Sequence, residues 1–108
     1  MKKQFLADVN GLFNYMINNG EDIAKTGLNL RDLDYTHGVI QALLGKMKVG
    51  EEIDSASTDA LIETLNEILN IVKDAEETNR ASKYFAKNLE QILEFYDCRI
   101  TKRYNQIG

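Results

Sequence analysis

Apolar residues recur along this chain at the spacing of helices rather than of strands. Between Lys3 and Asn18, the residues Phe5, Val9, Leu12, Phe13, Met16 and Ile17 fall on one face, because positions three and four apart lie above one another on an α-helix. Gly11 weakens that helix by up to about 1 kcal/mol relative to alanine. Asn18-Asn19-Gly20 closes it, since asparagine and glycine accept the left-handed conformation of a helix end. Glu21 to Thr26 leaves room for one more turn, stopped by Gly27. A second helix begins at Asn29, a good N-cap, with Asp32 facing the positive end of the dipole and Leu28 and Leu33 spaced as a hydrophobic staple. Its stripe runs through Leu33, Ile40, Leu44 and Met47, with Val39 and Leu43 beside it, and Gly50 ends it.

Beyond Gly50 the pattern changes. Residues 51 to 107 contain neither glycine nor proline, and all seven glycines of the chain lie outside that stretch. After a short acidic linker, residues 51–57, the apolar residues Leu61, Leu65, Ile68, Leu69 and Val72 form one run, and Phe85, Leu89, Ile92, Leu93, Tyr96 and Ile100 another. Asp54, Ser55, Ser57 and Thr58 are each able to cap the start. The polar segment Asp74–Asn79 separates the two runs, and Asn79 suits a left-handed turn. Two helices joined there give an all-α fold, an antiparallel bundle of about four helices in a single domain spanning residues 1–108. The alternative is one helix over residues 58–107, roughly 75 Å long at 1.5 Å per residue. It would need a second copy of the chain to bury its ends, forming a homodimer. Globular helices average roughly 10–14 residues, so the turn is the preferred reading.

Composition narrows the function classes without selecting one. No apolar run approaches the ~18 residues of a membrane span, and the opening MKKQFLADVN lacks a signal-peptide core. Cys98 is the only cysteine, so neither an intramolecular disulfide nor a cysteine metal site is expected. A cytoplasmic protein fits, or a phage protein acting in a cytoplasm. The net charge of −4 is unevenly spread: residues 51–78 hold nine acidic side chains against Lys73 alone, whereas residues 79–108 hold six basic against three acidic.

Candidate chemistry is sparse. His37, the only histidine, sits on the stripe of the second helix. Histidine-containing phosphotransfer domains are helical bundles of similar length, but they carry a lysine three residues and a glycine four residues after the histidine. Those positions are Ile40 and Gln41 here, so a structural histidine is the expected reading. All-α nucleotide pyrophosphohydrolases hold magnesium with paired glutamates. Glu51-Glu52 is the nearest pair, yet the third glutamate expected three residues on is Ser55. No cofactor is implied. Cys98 lies beside Arg99, a neighbour that favours thiolate, but no histidine is near in sequence and an inert thiol is expected.

The charge pattern remains. Glu51, Glu52, Asp59, Glu63, Glu67, Asp74, Glu76 and Glu77 make an acidic face suited to steering onto a basic partner protein, such as one that itself binds nucleic acid. Arg99, Lys102, Arg103 and Tyr104 make a basic C-terminal patch that could grip phosphates. The sequence pI of about 5.0 argues against direct nucleic-acid binding, for which a domain pI above ~9 is usual. The expected class is a small, non-enzymatic regulator or inhibitor. Small acidic phage inhibitors and helical bacteriocin-immunity proteins are similar in size. A structural oligomer is the main alternative.

Overall fold

A computed structural model describes residues 3–80 and 84–100. Five helices follow in order: α1 Lys3–Asn18, α2 Gly20–Lys25, α3 Leu30–Lys48, α4 Ser55–Glu77 and α5 Phe85–Phe95. The four longer ones form an antiparallel all-α bundle, with the single-turn-and-a-half α2 bridging α1 and α3. α1 packs on α3 and α5; α4 packs on α5 and more loosely on α3. The result is a closed ring of four helices in which the α3–α4 seam is the thinnest.

The starts of the helices follow local chemistry. Asn29 accepts the Arg31 N–H at 2.8 Å and opens α3. Among the four capping candidates before α4, Asp54 takes the position and accepts the Ser57 N–H at 2.6 Å. That bond lowers the Asp54 carboxyl below its ordinary range. The α5 start has no cap of its own. Instead Glu76, from the last turn of α4, accepts the Ala86 N–H at 2.8 Å.

Three of the ends share one geometry, in which a residue just past the helix turns left-handed. After α3 this is Gly50, φ +80°, and the following Glu51 N–H returns to the Lys46 carbonyl at 2.9 Å. After α4 it is Asn79, φ +59°, with Arg80 N–H on the Ala75 carbonyl at 2.8 Å. After α5 it is Asp97, φ +61°, with Cys98 N–H on the Leu93 carbonyl at 2.7 Å. Satisfying the last carbonyls in this way ends a helix sharply.

The expected turn near Asn79 is therefore present, and the single 58–107 helix is not the structure. One expectation needs correction. The second apolar run predicts a helix that continues through Arg99 to Ile100, but α5 stops at Phe95. Residues 98–100 leave it and are held against α4 by Asn66.

Most of the core comes from the predicted stripes, but Leu6, Ile23 and Leu43 are buried as well, while Ile17, Leu44 and Met47 stay half-buried. Phe5, Phe13, Leu33, Ile40, Leu65, Leu69, Phe85, Leu89 and Leu93 are fully buried. Edge-to-face contact between Phe5 and Tyr96, with ring centroids 5.2 Å apart, locks α1 to the end of α5. Among the described residues no helix is long and apolar enough to cross a membrane.

Candidate functional site

The thin seam between α3 and α4 opens as a groove of about 450 Å³. Its floor is apolar: Leu43, Leu61 and Ile68 are buried, and Val39 is half-buried. Tyr35 on the α3 side and Ile71 on the α4 side stand exposed along its margins. Each wall also carries a carboxylate, Asp32 on α3 and Glu67 on α4, and among the described residues no lysine or arginine lines the groove. The periodicity explains the arrangement. Leu61, Leu65 and Ile68 turn inward, while Ala60, Thr64, Glu67 and Ile71 occupy the neighbouring stripe and face the seam.

The acidic residues singled out from the sequence divide into two groups. Glu51 and Glu52 in the linker, and Asp59, Glu63 and Glu67 on α4, are exposed. Asp59, Glu63 and Glu67 are four apart and form a continuous ridge. At the other end of α4 the carboxylates act within the fold. Asp74 pairs with Arg80 at 2.5 Å, and Glu76 caps α5. Glu77 is exposed in the last turn.

Of the expected basic patch, only Arg99 lies among the described residues. Lys102, Arg103 and Tyr104 lie outside them. The Arg99 side chain is only 13% exposed. Its guanidinium donates to Asn66 Oδ1 at 3.0 Å, to the Ile100 carbonyl, and to Glu90 at 3.5 Å. Glu90 also accepts from Lys73 at 2.8 Å. That bond, followed by the neighbouring Lys73 and Arg99 charges, holds the Glu90 carboxyl below its usual range despite some burial.

Asn66 is the residue that sequence reasoning missed. It is buried in mid-α4, donates to the Ile62 and Cys98 carbonyls, and accepts from Ile100 N–H and Arg99. Its amide thereby fills both donor and both acceptor positions. The only signal in the sequence is that Asn66 stands one helical turn from both Ile62 and Leu69, on the apolar side of α4.

His37 is half-buried, and its Nε2 is enclosed without a hydrogen-bond partner among the described residues. Cys98 packs against the core, and burial, reinforced by the adjacent Asp97, pushes its thiol upward rather than towards thiolate. Among the described residues no group of three or more histidine, cysteine, aspartate or glutamate side chains is arranged to hold a metal ion. A second hollow, open and about 730 Å³, lies between α1 and α5 beside the exposed Phe95. Its one carboxylate, Asp8, is already engaged by the Tyr96 hydroxyl at 2.7 Å and by Gln4 at 2.8 Å.

These features define a small all-α bundle with an acid-rimmed apolar groove. Compared with protein-family models, with curated proteins and with solved structures, the chain matches none.

Proposed function

We propose that this protein is a non-enzymatic protein-binding module, a regulator or inhibitor acting in a cytoplasm, that takes hold of a basic partner through its α3–α4 side. The observation that carries this reading is the groove itself. An apolar floor lies between two walls that each bear a carboxylate, and the Asp59–Glu63–Glu67 ridge runs alongside. Apolar floors supply most of the free energy of association, and charged rims supply selectivity and on-rate. Between Glu51 and Val72 the chain contains no lysine, arginine or histidine, so no cation within that stretch offsets the field.

Affinity capture from nuclease-treated lysate of the source cells tests the proposal. Wild-type protein is expected to retain one basic protein in stoichiometric amount. The double variant Asp59→Lys/Glu67→Lys is expected to lose it while keeping its helical circular dichroism. Equal capture by both proteins would overturn the reading.

A further inference from the structure

We infer that the α3–α4 groove receives an amphipathic helix of the partner protein, with an apolar stripe facing the floor and lysine or arginine on its flanks; this rests on the reading of that side as the binding surface. The dimensions fit. The groove follows α4 from Ser57 to Ile71, which at 1.5 Å per residue is about 21 Å, or four helical turns.

Backbone chemistry excludes an extended occupant. The described residues hold no strand, and so no sheet edge with which an incoming peptide could pair. An extended segment laid over Val39, Leu61 and Ile68 would lose water from N–H and C=O groups that the apolar floor cannot satisfy. A helix arrives with those groups already bonded to each other. Two helices that meet at a thin seam then present the ridges and grooves into which a third packs at about 8–10 Å.

Charge and exposure set the flanks. Asp32 and Glu67 face the groove from opposite walls, so cations on both sides of the incoming apolar stripe meet a carboxylate. Tyr35 is 75% exposed and Ile71 40% exposed. Burying a marginal tyrosine of this kind is a recurrent source of binding energy in helix-in-groove complexes.

The test uses the full chain, labelled with nitrogen-15, and three synthetic peptides of about 16 residues, the four turns that the groove spans. The first carries a leucine stripe flanked by lysines. The second has the same composition rearranged so that no apolar face forms. The third keeps the stripe and replaces lysine by glutamate.

The first peptide is expected to shift the amide signals of Tyr35, Val39 and Ile71 and to gain helicity on binding. The second and third should bind at least about tenfold more weakly, and Ile71→Lys should weaken the first by a similar factor, a difference of about 1.4 kcal/mol. If the first and second peptides bind alike, with shifts confined to Asp59, Glu63 and Glu67, the helical occupant is wrong while charge-driven docking on this side stands. If no peptide shifts α3 or α4, the helical occupant is overturned, and the capture experiment decides the broader reading separately.

Discussion

The side-chain carbonyl of Asn66 accepts the backbone N–H of Ile100 at 2.8 Å, while its amide donates to the Cys98 carbonyl at 3.0 Å. A single buried residue of α4 thus fastens the chain that leaves α5. Neither partner alone carries this information. An asparagine in mid-helix is unfavourable by propensity, and three residues after a helix have no regular partners. Together they satisfy one another.

Asn66→Leu removes four hydrogen bonds and leaves the Cys98 carbonyl and Ile100 N–H without them. At about 1 kcal/mol per net bond, offset in part by the added apolar side chain, the expected loss is about 2–3 kcal/mol in urea unfolding. Release of residues 98–100 should also expose Cys98, whose half-burial and raised pKa make it slow to react in the native protein. Labelling by a thiol reagent at pH 8 is expected to be faster in the variant at temperatures well below its Tm. Unchanged stability and labelling would mean that the clasp contributes nothing.

Glu90 links stability to acid. Its folded pKa lies below the ordinary value of a glutamate, chiefly through the Lys73 hydrogen bond. The stabilisation is therefore fully present above about pH 4.5 and is lost as the pH falls through the lower folded value. Glu90 is 26% exposed and Lys73 39%, so solvent screening keeps the contribution to about 1 kcal/mol. Glu90→Gln should cost that much at pH 7 and close to nothing at pH 2, as read from chemical denaturation at the two pH values. An equal cost at both would assign the effect to packing.

Asp97 holds a left-handed conformation, φ +61°, that costs an ordinary residue roughly 1–2 kcal/mol. Asp97→Gly relieves that cost but increases the freedom of the unfolded chain, for a net gain of about 0.5–1 kcal/mol. A rise in Tm of a few degrees is the expected result. A fall would show that the Asp97 side chain makes a stabilising contribution that outweighs the backbone strain.

Leu65 and Leu89 are both fully buried, one on α4 and one on α5. Truncation of either to alanine is expected to cost about 2–5 kcal/mol. A loss below about 1 kcal/mol would contradict the packing of the α4–α5 pair.

Much of the fold is legible before any coordinates. The bounds of α1, the Asn29 cap and the inward stripes follow from periods of three and four and from side chains that bond their own neighbours. The turn at Asn79 could be read because asparagine tolerates left-handed backbone and because the apolar stripe lapses there. The turn at Asp97 could not. Tyr96 and Ile100 continue the stripe across it at helical spacing, and aspartate carries a weaker left-handed signal than glycine.

The division of the acidic residues was equally hidden. Glu76 and Glu67 look alike in the sequence, but one caps the next helix and the other lines a groove. The sequence by itself determined most of the apolar residues that face inward, because amphipathic periodicity is a local property of each helix, but not the burial of Asn66. Only the tertiary structure decided where Arg99 points, which carboxylates are spent inside the fold, and that the seam between α3 and α4 stays open. Those outcomes depend on distances between segments far apart in the chain, and no local spacing encodes them.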